Sequence, residues 1–216
     1  MDVLYYVGTG SMHNNEELRY SLRALEKHCK DIDNVWVVGN RPPFLNYNIN
    51  YLWVEDGEHW YHNSIKKIVA AIKAGISDKF LLMNDDFFML NDFTAEDYPA
   101  YHRGLIKEEY DTEWHQVLSN TKKLLEKDGV SFRHYGVHCP MVIEGKKFLS
   151  LEKYFGEKID FRCVYGNYFL KGRKVSDCKS DEIKESETKC CSTKPWAPKA
   201  IKQLREMFPD ISKWEK

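Results

Sequence analysis

Short, wholly apolar runs alternate along this chain with stretches whose apolar residues recur every three or four positions. Residues 3–7 form the first such run and feed the turn Gly8-Thr9-Gly10-Ser11, the pattern of a buried strand. Leu18, Leu22 and Leu25 then predict an amphipathic helix over 16–29. Asn14 or Asn15 is placed to cap it, and Glu16 and Glu17 suit its positive N-terminus. Val35-Trp36-Val37-Val38 reads as a second buried strand, stopped beyond Gly39 by Arg41-Pro42-Pro43, and residues 49–54 read as a third. Ile65, Ile68, Val69 and Ile72 place a helix over 63–74, and Phe80-Leu81-Leu82-Met83 makes a fourth strand that ends at Asn84-Asp85-Asp86.

Strands that alternate with helices call for a parallel sheet with right-handed crossovers. The fold class expected is therefore α/β: a single Rossmann-like domain with a mostly parallel sheet flanked by helices. Beyond Phe93 the pattern loosens. It predicts a helix at 113–127, a turn-rich His134–Pro140 segment, a strand at 141–143 and helical residues at 147–155. Residues 161–170 are aromatic-rich and mixed, 171–189 read as a charged, solvated loop, and 197–208 as a last helix. No internal repeat is visible.

Composition narrows the function classes. With 32 Lys plus Arg against 33 Asp plus Glu, the formal net charge of -1 gives no bulk reason to expect a nucleic-acid or membrane partner. No run approaches the ~18 apolar residues of a membrane span, and the first residues lack a signal-peptide pattern, so a cytoplasmic protein is expected. The six cysteines, at 29, 139, 163, 178, 190 and 191, are then expected to be reduced thiols.

The sharpest chemical feature is Asp85-Asp86, with Asn84 before it. Ligands of open α/β sheets bind beyond the carboxyl ends of strands. Adjacent carboxylates there repel each other unless a cation compensates, and a hard divalent ion carrying a diphosphate does so. An Asx turn capping a helix is the plainer alternative. The turn Gly8-Thr9-Gly10-Ser11 would let backbone amides approach a phosphate, although glycine turns after strands are mostly just turns. Arg19 and Arg23, one helical turn apart, could grip a diphosphate; a solvated face is the commoner meaning of such a pair. His138, before Cys139-Pro140, is a candidate general base, with His134 a less favoured alternative. Arg162, Tyr165 and Asn167 are further candidates in an aromatic stretch.

Taken in order, these stretches resemble the Stealth proteins, sugar-phosphate transferases of capsule synthesis and of lysosomal mannose-phosphate tagging. Asn14–His28 is similar to that family's N-E-L-R-Y-S-L-R-S-L-E-K segment. Asn63-Ser64-Ile65 resembles its Asn-Ser step before the next helix, and Phe80–Phe88 its strand with Asn-Asp-Asp. The likeness covers roughly residues 2–93, and His138-Cys139-Pro140-Met141 echoes a later His-x-Pro segment. It implies a GT-A-like fold and a donor pocket lined by Gly8, Gly10, Asn15, Arg19 and Arg23, with Asn63 beside it. Asp85 and Asp86 would hold donor and metal, Mn²⁺ or Mg²⁺. The opening Tyr5-Tyr6-Val7-Gly8-Thr9-Gly10 departs from the family's Tyr-Thr-Trp-Val-Asn-Gly type and resembles compact glycosyltransferase-like proteins of phages and bacteria.

The function expected is metal-assisted transfer of a sugar from a nucleotide sugar to an acceptor hydroxyl, with Asp85 or His138 as base and Asp86 on the metal. Residues 1–93 would bind the donor and 94–170 the acceptor, with 171–191 a charged loop and 192–216 a tail with the last helix. Transfer of the whole sugar-1-phosphate is the near alternative, and a non-catalytic nucleotide- or sugar-binding module the distant one. The acceptor would be a glycan or, in a phage, a hydroxymethylated base in DNA. The lysines of 122–127, Arg133, residues 171–174, Lys194, Lys199, Lys202 and Arg205 would then form a basic groove, although a solvated face is their usual meaning.

Overall fold

The computed structural model describes residues 1–11, 13–107, 111–193 and 197–216. Its first half runs β1 (Asp2–Val7), α1 (Glu16–His28), β2 (Val35–Gly39), β3 (Asn50–Leu52), α2 (Trp60–Lys73), β4 (Lys79–Met83) and β5 (Phe87–Met89). The second half runs β6 (Tyr101–His102), α3 (Glu113–Lys127), β7 (Met141–Glu144), α4 (Gly145–Leu149), α5 (Phe161–Phe169), β8 (Arg173–Lys174), β9 (Lys179–Ser180), β10 (Cys190–Thr193) and α6 (Pro198–Met207).

The main sheet has the order β3-β2-β1-β4-β7. The first four strands pair in parallel and β7 closes the edge antiparallel to β4, with Leu82 opposite Met141. The fold is thus α/β with a mostly parallel sheet, as the alternation of patterns predicts. Alternate residues of each strand serve opposite faces. Val3, Tyr5, Val7, Leu81 and Met83 pack with Leu18, Leu22 and Leu25 of α1. Leu4, Phe80 and Leu82 pack with Ile65 and Ile68 of α2, Phe148 and Tyr165. Each fully buried leucine or phenylalanine contributes on the order of 1.5–3 kcal/mol, so the two-sided core accounts for these strands reading as unbroken apolar runs.

Several boundaries and elements differ from the pattern. The third strand is confined to Asn50–Leu52, where β2 offers it partners. α2 starts at Trp60, so Asn63 lies inside its first turn rather than before it. Residues 147–155 split into α4 and a 3₁₀ turn at Glu152–Tyr154. The aromatic stretch 161–170 is a helix, α5, because the Asp160 carboxylate caps it by accepting from Cys163 N at 2.7 Å. Gly166 lets that helix approach Tyr135, whose ring a Cβ would meet at 2.3 Å.

The segment 171–189 is no solvated loop. It carries β8 and β9 and buries Val175, Cys178, Ile183 and Thr188. β10 then pairs antiparallel with β5 and parallel with β9. Such two- to four-residue pairings carry almost no local periodicity. All six cysteines are buried free thiols. Among the described residues no helix is long and apolar enough to cross a membrane.

Candidate active site

Strand order reverses at β1, with β2 and β3 on one side and β4 on the other, and open α/β sheets bind ligands at this switch point. The parallel strands β1 and β4 end together, delivering Gly8 and Asn84 to the same edge. β7 runs the other way, so its start lies at that edge, and His138 stands three residues before it. A cavity of about 480 Å³ opens there. Its lining includes Tyr6, Gly8, Gly10, Asp56, Trp60, Asn63, Lys67, Asn84, Asp85, Trp114, His138, Asp160 and Arg162.

Seven of the residues singled out from sequence therefore meet in one cleft: Gly8, Gly10, Asn63, Asn84, Asp85, His138 and Arg162. Their individual settings differ from the expected ones. One amide of the glycine turn is already taken, because Thr9 N donates to the Asp56 carboxylate at 3.1 Å. That carboxylate is paired with Lys67, which also donates to Val7 O at 2.9 Å. A Cβ on Gly10 would meet nothing within 4 Å, so close approach does not require glycine there. Asn63 closes its own loop, accepting from Gly57 N at 2.7 Å and donating to Gly57 O at 3.1 Å. Asn84 accepts from the Tyr6 hydroxyl, whose pKa burial pushes up to about 12, so that it remains a donor.

Asp85 is electrostatically strained. Burial, reinforced by the charges of Asp86 and Glu17, pushes its carboxyl up to about 7. Excess negative charge of this kind is what a divalent cation neutralises, so the site suits a metal in charge. Among the described residues, however, no three His, Cys, Asp or Glu side chains are grouped to hold one. A cation on Asp85 would draw further ligands from a bound phosphate. Asp86 is outside the cavity lining; its Oδ2 accepts from Ser192 Oγ of β10 at 2.6 Å.

Four other expected donor contacts lie outside the lining as well. Ser11 Oγ accepts from Asn15 N at 3.0 Å and His13 N at 3.3 Å, tying down the entry to α1. Asn15 sits at the N-cap with φ 56° and makes no side-chain cap bond. Arg19 and Arg23 both pair with Glu215, at 2.7 and 2.8 Å, and Arg23 Nη1 also donates to Phe208 O. These arginines hold the C-terminal segment, because a fully buried carboxylate needs their charge.

Arg162 is the residue whose weight the sequence understated. It is 7% exposed, stands in the first turn of α5, and lines the cavity. Its Nη2 donates to Val137 O at 3.2 Å and Cys139 O at 2.5 Å, gripping the peptide on both sides of His138. Nε and Nη1 are buried without a partner among the described residues. Buried guanidinium nitrogens without a partner, in a residue that lines a cavity, leave a positive charge that an anion there would answer. An arginine in an aromatic stretch gives no sequence signal for this beyond its type. Asp160, also in the lining, caps α5.

The basic residues expected to line a nucleic-acid groove are interleaved with acids. Lys199 pairs with Glu182, Lys202 with Glu206, Arg205 with Glu16 and Lys122 with Glu126. Lys194 lies outside the described residues.

No known family profile matches the chain. N-acetylglucosamine-1-phosphotransferase subunits alpha/beta of Mus musculus are 28% identical over 110 residues, 45% of this chain and 9% of that protein. The Homo sapiens protein is 27% identical over the same span. An exopolysaccharide phosphotransferase of Streptomyces coelicolor, SCO6023, is 34% identical over 97 residues, 39% of this chain and 16% of that one. The chain thus matches less than a fifth of the length of each of these relatives. Solved structures of LgtC, one an active-site mutant and one a galactosyltransferase complex with donor and acceptor sugar analogs, superpose over 99% of this chain at a TM-score of 0.48, with 11% and 12% identity.

Proposed function

We propose that this chain is a nucleotide-sugar-dependent transferase whose reaction takes place in the cleft at the ends of β1 and β4. The observation that carries the reading is the company one cavity keeps: the partnerless guanidinium nitrogens of Arg162, the charge-strained carboxylate of Asp85, and His138. A diphosphate answers both charges, accepting from Arg162 and sharing a divalent cation with Asp85. That cation, Mn²⁺ or Mg²⁺, would supply electrostatic neutralisation of the departing phosphate. His138 takes the proton of the acceptor hydroxyl as that oxygen attacks. Of Asp85 and His138, the histidine is the better base, since the strained carboxylate of Asp85 is the one a cation would relieve.

The bond cleaved has two readings. The relatives named as phosphotransferases favour attack at phosphorus. The acceptor oxygen then bonds to the sugar-bearing phosphorus, the P–O–P bridge breaks, and a nucleoside monophosphate leaves. Attack at the sugar carbon would instead release a nucleoside diphosphate, which is the glycosyl transfer that the sequence alone puts first. A glycan acceptor fits better than DNA, because the surface lysines and arginines alternate with acids rather than forming a groove of one sign.

The test is a panel of nucleotide sugars, each with and without Mn²⁺ or Mg²⁺, followed by thermal shift and then by product analysis. A metal-dependent stabilisation identifies the donor; at ~100 times its dissociation constant the ligand adds about 2.7 kcal/mol. Nucleoside monophosphate as the product supports phosphotransfer and nucleoside diphosphate supports glycosyl transfer. Absence of any stabilisation or turnover across the panel would count against a transferase.

A further inference from the structure

His138 is held by two consecutive residues from the segment between β8 and β9. Its backbone N donates to Asp177 Oδ1 at 3.1 Å, and its ring Nδ1 lies 2.8 Å from Asp177 Oδ2 and 3.0 Å from Oδ1. Its carbonyl oxygen accepts from the Cys178 thiol at 2.6 Å. No hydrogen bond among the described residues engages Nε2, although His138 lines the cavity.

This arrangement decides where the imidazole proton sits. A carboxylate has no hydrogen to give, so Nδ1 carries the hydrogen and Nε2 of the neutral ring keeps its lone pair. Asp177 stays ionised across the physiological range. Burial works against its charge, but the hydrogen bonds from His138 and the nearby charge of Arg103 outweigh it and draw its carboxyl down to about 2. Arg103 Nη1 stands 3.4 Å from Oδ2, a cation on the same carboxylate. A mere strap for the loop would be complete with the backbone contacts to N and O. The bond to Nδ1 adds nothing to chain position and fixes the ring.

We propose that Asp177 is a positioning residue for the transfer reaction: it holds His138 in the Nδ1–H tautomer, so that Nε2 takes the acceptor's proton. This rests on the reading of the cleft as a transferase site. In the step, the acceptor O–H bond breaks as its oxygen bonds to the donor. The proton passes to Nε2, and the resulting imidazolium is paired with the Asp177 carboxylate. The energetic logic is that of any base oriented by a buried carboxylate: the wrong tautomer presents a hydrogen where a lone pair is needed.

The decisive variant is Asp177→Asn. It keeps an oxygen for His138 N and sets an NH₂ group against Nδ1, which must then become an acceptor. The ring proton moves to Nε2. Nitrogen-15 spectra of the imidazole should show Nδ1–H in the wild type and Nε2–H in the variant. Turnover should fall by about 10²–10⁴-fold while the donor KM stays within about twofold. Asp177→Glu, which restores a carboxylate, should recover the Nδ1–H tautomer and part of the turnover; a purely structural role predicts no such link between tautomer and rate. An unchanged tautomer in Asp177→Asn, or a switched tautomer with full turnover, overturns the proposal. The spectra need no substrate, so they answer separately from the transferase reading: the tautomer switch upholds Asp177's hold on His138 even where no nucleotide sugar is turned over.

Discussion

Glu215 accepts a hydrogen bond from Arg23 Nε at 2.8 Å, across a sequence separation of 192 residues. Its other oxygen takes Arg23 Nη2 at 3.0 Å and Arg19 Nη1 at 2.7 Å, while Ser212 Oγ donates to the first at 3.0 Å. A carboxylate with no exposed side-chain surface is thus satisfied by two guanidinium groups from α1. The pair that the helix pattern and the family likeness assign to a diphosphate is spent on closing the chain over its own first helix.

Glu215→Ala should therefore destabilise the fold rather than the site. Leaving two arginines partly buried without their counter-charge costs on the order of 3–5 kcal/mol. Denaturant unfolding should record a loss of that size, with donor affinity of the remaining folded protein unchanged. A variant of normal stability and weakened donor binding would return Arg19 and Arg23 to the donor site.

What the sequence could disclose follows from range. α1, α3 and α6 and strands β1, β2, β4 and β7 show in local periodicity, because each buries a face whose spacing is set by its own backbone. Gly8, Asn84, Asp85 and His138 fall together because strands end where ligands bind, a rule that needs only element order. Arg19 and Arg23 illustrate the limit: their partner is at the far end of the chain, and nothing local encodes that choice. Asp177 is the opposite case. It sits in a charged segment that reads as solvent-exposed, and only the pairing of β9 with β10 brings that segment to His138. Arg162 hides for a third reason, since α5 is a short helix rich in aromatic residues, poor in helix formers, and fixed by its Asp160 cap.

Asp85 makes stability depend on pH in a direction that can be worked out. Below about pH 4 the carboxyl is protonated in both the folded and the unfolded chain. From there up to about 7 the unfolded chain releases the proton while the fold retains it, so stability falls as pH rises through this window. Asp85→Asn removes the titration. It should match the wild type near pH 4 and melt at a higher temperature than the wild type near pH 8. Mn²⁺ should close that gap by stabilising the wild type alone. Equal melting temperatures at both pH values would show that the carboxylate is not strained.

Arg162→Lys tests the anion-binding edge. Lysine keeps one charge but loses the fork that grips Val137 O and Cys139 O while leaving Nε and Nη1 for a ligand. A charge-assisted hydrogen bond lost from a buried site costs about 1.5–3 kcal/mol. Calorimetry should therefore show nucleoside diphosphate binding weakened at least about tenfold, with smaller losses for the uncharged nucleoside. Equal losses for both would place Arg162 in loop support only.

The last prediction concerns the aromatic pair at the cleft. Trp60 of α2 and Trp114 of α3 face each other with ring centroids 5.4 Å apart and planes tilted by 36°, and both line the cavity. Flat apolar faces beside charged groups suit a ring that is apolar on one side and polar at its edge, which describes a sugar. Trp60 belongs to the half proposed to bind the donor, but Trp114 starts the helix that follows it. On the proposed division of the chain, residues 94–170 serve the acceptor. Trp114→Ala should then raise the acceptor KM by about fivefold to tenfold, the loss of roughly 1–1.5 kcal/mol of stacking, and leave the donor KM within about twofold. Trp114→Phe, which retains a ring, should recover most of it. If the donor KM moves instead, the pair stacks on the nucleotide, and the acceptor must enter from the His138 side of the cleft.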